Sequence, residues 1–256
     1  MAGVSRLQYT PEIRPVRVMC SGRIDLKHIF RAFSKGMDGV FIGGCRLGEC
    51  NYITHGNYHA LNLTLLCKRI MEYIGLNPDR LRVEFMSAGD GNLFVDIMDE
   101  YTQQVREIGP LGKSEGIEPA ELEKRLAKVI KQIPYIKIMT NEKMGTHLED
   151  PAEYESFFTL EEVSKLFTEM ISYYIDPEKC QACMICARRC PVDAIISAKK
   201  EVHVIEQDKC IRCGSCFEAC PDRFDAIIEI PGGEPVPPPP PEGERAIVKK
   251  DKKKAG

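Results

Sequence analysis

The sequence predicts an α/β protein built in parts: a small parallel-sheet domain over residues 1–110, a helical connector over 111–175, a compact cysteine-rich α+β domain over 176–231, and a tail over 232–256 expected to be disordered. Three observations predict it. Up to Gly109, short apolar runs alternate with amphipathic helical patterns, as in a parallel sheet joined by right-handed helical crossovers. Eight of the 12 cysteines crowd between Cys180 and Cys220, while Cys20, Cys45, Cys50 and Cys67 are scattered. The closing segment GGEPVPPPPPEGERAIVKKDKKKAG has a run of prolines and a lysine-rich end, which favour an extended, solvated chain.

In chain order, Val16–Cys20 (VRVMC) is β-branched enough for a strand. Asp25 can cap a helix whose Leu26, Ile29, Phe30 and Phe33 share one face, with Gly36 to end it. Gly39–Gly44 (GVFIGG) reads as a strand covered on both faces. A helix is expected over Asn57–Ile74, a strand at Leu81–Phe85 (LRVEF), and a helix aligning Phe94, Ile97, Met98, Tyr101, Val105 and Ile108 before Gly109. In the connector, one helix enters through Pro119, places Leu122, Leu126, Val129 and Ile133 on one side, and is expected to stop at Pro134. A second opens with the capping box Thr159 and Glu162 and lines up Leu160, Val163, Phe167, Met170 and Tyr174. These helices either pack on the α/β domain, bridge to the next one, or offer a docking surface.

A formal net charge of −3 gives no global basic field, which argues against nucleic acid as a partner. No apolar run approaches a membrane span, and MAGVSRLQYTPEIR lacks the apolar core of a signal peptide, so a cytoplasmic protein is expected. In a reducing compartment, so many thiols point to metal binding rather than disulfides.

Cys180-x2-Cys183-x2-Cys186-x3-Cys190-Pro191 is followed by Cys210-x2-Cys213-x2-Cys216-x3-Cys220-Pro221. Each half of this internal repeat matches the run of bacterial two-cluster ferredoxins, in which three close thiolates hold one cubane and the fourth ligates the other. One [4Fe–4S] cluster is therefore expected on Cys180, Cys183, Cys186 and Cys220, and a second on Cys210, Cys213, Cys216 and Cys190. Structural zinc is the competing reading, but zinc sites collect two cysteine pairs across a longer loop and do not call for this spacing twice. The repeats differ. Gly214 stands where the first motif has Met184, and CPDRFDAI has two residues more than CPVDAI, so the two reduction potentials are expected to differ.

Cys20 and Cys45 end two of the expected strands, and Cys50 follows in GGCRLGECNY, close to Gly22, Gly43, Gly44 and Gly48. The crevice beyond the carboxyl ends of parallel strands is where ligands bind, so a metal or redox site is expected there. Cys67, among Leu63, Leu66 and Ile70, reads as core. His55 and His59 read as solvated or hydrogen-bonded residues ahead of ligands.

GVSRLQY, RVMCSGR, DGVFIGGCRLGECNY and a GN-Y helix start, in that order, resemble the delta subunit of methyl-viologen-reducing hydrogenase, also described as the heterodisulfide reductase-associated hydrogenase iron–sulfur subunit. The resemblance covers about residues 1–110. It implies a [2Fe–2S] cluster whose ligands include some of Cys20, Cys45 and Cys50. It also implies a relay of electrons from a hydrogenase or formate dehydrogenase to a flavin-containing heterodisulfide reductase A-type subunit, in anaerobes that use electron bifurcation. The family has a strand and a C-x2-C loop ahead of the segment matching AGVSRLQY, with selenocysteine in some members. A doubly wound sheet also normally begins with a strand that becomes central, whereas here helix-like Ala2–Tyr9 feeds directly into Val16–Cys20. A missing first strand and fourth ligand are therefore expected, with Met1 as a restart after a selenocysteine codon read as a stop; the alternative is a true start with an incomplete or absent cluster.

No G-x-G-x-x-G or Walker loop appears, and no nucleophile–base arrangement stands out, so substrate chemistry of the chain's own is not indicated. Two alternatives to a relay subunit stand: an independent reductase binding flavin or substrate at the sheet edge, and a redox-sensing or scaffold iron–sulfur protein.

Overall fold

The computed structural model describes residues 6–52, 55–148, 151–232 and 234–247, and the chain forms two compact units, Met1–Ser164 and Lys165–Gly256. The first unit begins with extended chain and a 3-10 turn at Ser21–Arg23. Then come α1 (Leu26–Ser34), β1 (Val40–Gly44), α2 (Asn57–Tyr73), β2 (Leu81–Phe85), α3 (Gly91–Ile108), α4 (Pro119–Met144) and α5 (Pro151–Ser156). The last helix, α6 (Leu160–Thr168), runs across the boundary between the units.

Strands β1 and β2 pair in parallel from Val40↔Leu81 to Gly44↔Phe85, as their sequences predict. Asp25 caps α1 and exchanges hydrogen bonds with Lys27 and His28, while Leu26, Ile29, Phe30 and Phe33 are buried. Ile97, Met98 and Tyr101 of α3 are buried, and the Tyr101 hydroxyl donates to the carbonyls of Val40 and Arg80, tying the helix to the starts of both strands.

Arg80, just before β2, has its side chain fully buried. Its Nε donates to Glu115 at 2.6 Å, Nη1 to the carbonyls of Asp38 and Gly109, and Nη2 to Pro110 and Glu115. All five guanidinium N–H groups can thus be satisfied, which is the condition for burying that charge. The cation also holds the Glu115 carboxyl below its usual range, overcoming the burial that works to raise it.

Three expectations need correction. Val16–Cys20 forms no strand. It is extended chain with Val16 84% and Met19 90% exposed, because strand propensity counts only where a neighbouring edge pairs with it, and among the described residues β1 pairs with β2 alone. The helix entered at Pro119 does not stop at Pro134 but continues to Met144. A proline inside a helix costs about 3 kcal/mol. Tyr135, Ile136, Thr140 and Met144 are buried beyond it, and Asn62 of α2 donates to the carbonyls of Lys143, Met144 and Thr146, which ends the helix in good order. This α4 packs on α1 and α2 as part of the first unit. The Thr159–Glu162 capping box forms, but its helix ends at Thr168, so Tyr174 lies on a strand instead.

The second unit has β3 (Ser172–Ile175) antiparallel to β6 (Ile227–Ile230) and β4 (Ile195–Ile196) antiparallel to β5 (Val204–Ile205). Short helices α7 (Ile185–Arg189) and α8 (Ser215–Glu218) sit inside the two cysteine motifs. Ile175, Ile195, Ile205 and Ile227 share a small core with Cys180, Cys186 and Cys216.

The tail differs from the disordered extension expected. Val202 N donates to the Arg245 carbonyl, Ile247 N donates to that of Lys200, and Glu201 bridges Ala246. Val236, Pro237, Pro239 and Pro240 line one small cavity with Ile175, His203 and Ile205. Proline-rich chain carries few N–H groups to satisfy and loses little entropy on docking, so it can strap a small unit. The lysine-rich end from 248 onward and the first half of Ala2–Tyr9, residues 2–5, lie outside the described residues.

Candidate iron–sulfur sites

In the second unit the chain path around each motif is set by left-handed residues at equivalent places. Ala182 and Arg212 precede the second cysteines, Met184 and Gly214 follow them, and Asp193 and Asp225 follow the fourth, all with positive φ. Gly214 adopts this at no steric cost, whereas Met184 at φ 65° carries roughly 1–2 kcal/mol of strain. The two extra residues of CPDRFDAI are absorbed before Asp225. Ala226 N then reaches Cys220 Sγ at 3.4 Å just as Ala194 N reaches Cys190 Sγ at 3.2 Å. Arg212 N similarly approaches Cys210 Sγ at 3.4 Å. Amides turned onto sulfur suit thiolates, since they place partial positive charge on a ligand that carries negative charge.

The eight cysteines divide crosswise. One small cavity is lined by Cys180, Cys183, Cys186 and Cys220, and another by Cys190, Cys210, Cys213 and Cys216. A single zinc needs its four sulfurs about 2.3 Å from one point. Four thiols on one cavity, three from one motif and the fourth from the other, match instead the ligand pattern of a two-cluster ferredoxin. Burial, with repulsion from the Cys180, Cys183 and Cys220 thiols, pushes Cys186 up to about 12, and burial with Cys210 and Cys186 does the same to Cys216. His203 Nδ1 lies 3.2 Å from Cys186 Sγ, and Tyr173 lines the other cavity. Neither ring stands out in sequence, although both precede a motif at the same offset, and that repeat is the signal that could have found them.

In the first unit Cys20 immediately precedes the 3-10 turn, Cys45 follows β1, and Cys50 lies in the loop leading to α2. The structure places the three near one another, so that the Cys50 thiol feels those of Cys45 and Cys20, but among the described residues they are not drawn into a geometry that would hold a single metal ion. Desolvation works to raise the Cys50 thiol, but the amides of Tyr52 and Asn57 and the neighbouring thiols outweigh it and bring it below its usual value. Burial and the contact with Cys50 push Cys45 up. Two close approaches explain the glycines: a side chain at Gly22 would strike the His55 and Gly56 carbonyls, and one at Gly56 would strike Cys50 Sγ.

Asn57, fully buried at the start of α2, donates to the carbonyls of Cys45 and Arg46 at 3.0 and 2.6 Å and so fixes the loop; its sequence position marks it only as a helix start. Arg46 pairs with Asp90 at 2.7 Å. His55 and His59 stack at 5.9 Å beside this loop, while Cys67 is fully buried in the body of α2, apart from the other three cysteines, with its thiol raised by burial.

Residues 1–109 match the family described as methyl-viologen-reducing hydrogenase, delta subunit, and residues 172–222 match the 4Fe–4S dicluster domain. An F420-non-reducing hydrogenase iron–sulfur subunit of Archaeoglobus profundus is 41% identical over 110 residues, covering 43% of this chain and 80% of that protein. The chain belongs to the methyl-viologen-reducing hydrogenase delta subunit family. A delta-family relative of Methanococcus voltae, the F420-non-reducing hydrogenase vhc iron–sulfur subunit, is 41% identical over 109 residues and 75% of its length. The A-type subunit of the Ferredoxin:CoB-CoM heterodisulfide reductase of Methanosarcina mazei is 42% identical over 112 residues, but this chain spans only 14% of its length. With the dicluster domain, these matches make this delta-family chain an iron–sulfur electron-transfer protein. Among the described residues, no helix is long and apolar enough to cross a membrane.

Proposed function

We propose that this chain is a cytoplasmic relay subunit. It carries one [4Fe–4S] cluster on Cys180, Cys183, Cys186 and Cys220, a second on Cys190, Cys210, Cys213 and Cys216, and a [2Fe–2S] cluster that uses Cys20, Cys45 and Cys50. When bound, each cluster supplies one-electron redox chemistry. The chain's own residues hold and orient the thiolates, turn amides onto their sulfurs, and keep water from the buried ones. The observation that carries the reading is the crosswise division of eight cysteines into two cavities, in a chain whose other unit gathers three more.

Its partners are a hydrogenase or formate dehydrogenase on one side and a heterodisulfide reductase A-type flavoprotein on the other, in a bifurcating complex. The names of the relatives support this, since the same domain occurs in hydrogenase subunits and within the A-type heterodisulfide reductase chain. Anaerobic purification of the native complex tests it. The full chain should copurify with a flavoprotein and a hydrogenase or formate dehydrogenase. Alone it should oxidise neither hydrogen nor formate, yet be reduced through its partner. A chain that purifies alone with bound flavin and turns over a substrate would overturn it.

A further inference from the structure

The internal repeat extends upstream of the cysteines. YYIDPEKC begins at Tyr173 and HVIEQDKC at His203, so these two rings occupy equivalent positions, each before the first cysteine of its own motif. Each lies against the cavity whose three clustered cysteines come from the other motif: Tyr173 with Cys210, Cys213 and Cys216, and His203 with Cys180, Cys183 and Cys186. The pseudo-symmetry makes them a matched pair that differs in chemistry. The Tyr173 hydroxyl bonds to the Glu229 carboxylate. His203, 1% exposed, brings Nδ1 to 3.2 Å from Cys186 Sγ, and its Nε2 has no partner among the described residues. Pro237, Pro239 and Pro240 of the tail line a small cavity together with His203.

An iron-bound cysteine is a thiolate with no proton to give, so the contact has one workable polarity: Nδ1–H donates and Sγ accepts. A donor buried on a ligand sulfur favours the reduced site, which holds one more negative charge, over the oxidised one. We propose that His203 splits the two [4Fe–4S] sites in potential, making the site of Cys180, Cys183, Cys186 and Cys220 the easier to reduce and the place where a single electron rests. This rests on the ligand assignment proposed above. The tail strap takes part by keeping water from the imidazole, so that the sulfur meets one fixed donor.

The experiment uses the full chain, reconstituted anaerobically, with iron and sulfide measured and the potentials followed by electron paramagnetic resonance during a redox titration. In His203→Leu one [4Fe–4S] potential falls and the other stays. At the poise that half-reduces this site in the unaltered protein, its reduced-to-oxidised ratio drops on the order of tenfold, as for one lost hydrogen bond to a charged group. His203→Asn, whose amide nitrogen takes the place of Nδ1, keeps the potential near its original value, a rescue that filling space would not give. Equal shifts in both variants, or none, with full iron and sulfide, would overturn the inference. Should the leucine variant fail to assemble, the unaltered protein with isotopically labelled histidine decides: a histidine nitrogen coupling on one reduced [4Fe–4S] signal supports the proposal, and its absence removes it. Iron and sulfide too low for two such clusters in the unaltered protein would instead overturn the ligand assignment, and this inference with it.

Discussion

The two thiol-bearing regions are built on opposite principles. In the first unit, Cys20, Cys45 and Cys50 sit at the rim of a structure with its own core, in which Phe30, Leu66, Ile70 and Leu81 are fully buried. In the second unit, three of the cysteines are themselves core, beside a handful of isoleucines. The contrast separates a fold that presents thiols from a fold made by what its thiols hold. Small domains bury a smaller share of their surface than large ones, and metal binding can supply folding free energy that apolar burial does not.

The largest expected effect follows from that contrast. Removing iron with a chelator, or replacing Cys186 with serine, should unfold the second unit while the first keeps its helices. Burial pushes Cys186 and Cys216 up to about 12, so without iron these are neutral thiols that no longer tie the two motifs to each other, and the small core has to hold alone. Limited proteolysis should cut within 176–231 and spare α1–α4. A second unit that stays resistant without iron breaks the comparison.

The converse comes next. Arg80→Met strands Glu115 and three backbone carbonyls inside the first unit and should cost roughly 3–5 kcal/mol there, with the iron of the second unit unchanged. Lysine should not rescue it, since three donors on a flexible stem cannot replace a five-donor fork. Chemical denaturation followed by far-ultraviolet circular dichroism measures the loss. The same pair has a pH signature. Glu115 titrates lower folded than unfolded, so its contribution is present above its ordinary value near 4.5 and is lost as pH falls through the lower folded value. Between about pH 5 and 3 the unaltered first unit should therefore lose more stability than Glu115→Gln.

A smaller effect is expected at the rim. Cys45, exposed after β1, should tolerate serine with a change in first-unit stability of about 1 kcal/mol or less, while any [2Fe–2S] signal disappears. Serine at Cys45 that leaves that signal unchanged in a metal-loaded chain would remove Cys45 from the ligand set.

What sequence could and could not show follows the same division. In the second unit, local spacing made the grouping of three thiols within each motif legible, and the bacterial ferredoxin pattern supplied the expectation of a crosswise fourth. Helices α1, α2 and α3 were legible from capping and periodicity. Val16–Cys20 was misread because a strand is a relation between two segments and only one is in view. Pro134 was misread because tertiary burial of Ile136 and Met144 outweighs a local penalty. Arg80 with Glu115 had no sequence signal at all, since the two meet only when the loops after α1 and α3 close over them. Asn57 and His203 are one-residue contributions to sites assembled by topology.

The smallest expected effect concerns the tail, read from sequence as solvated and found docked. Deleting 234–256 removes no candidate ligand, so both cavities keep their four cysteines and iron and sulfide should stay at full content. What changes is the cover. The segment contributes two backbone hydrogen bonds, Val202 N to the Arg245 carbonyl and Ile247 N to that of Lys200, packs Ile247 against the core, and lines a cavity beside His203 with three prolines. Ile247 is only partly buried, so it contributes less than the roughly 1.5–3 kcal/mol of a fully buried isoleucine, and a hydrogen bond nets about 1 kcal/mol, against which the ordering entropy of the strap is set. The remainder is a modest loss, seen as earlier release of iron on warming. The loss should also be lopsided, because the strap lines the face that holds His203 and not the cavity of Cys190, Cys210, Cys213 and Cys216. Water admitted to the imidazole should weaken its hold on Cys186 and move one potential only, in the same direction as His203→Leu and by less. Equal shifts in both potentials would mean that the strap stabilises the unit generally, and complete loss of iron would make it part of the fold.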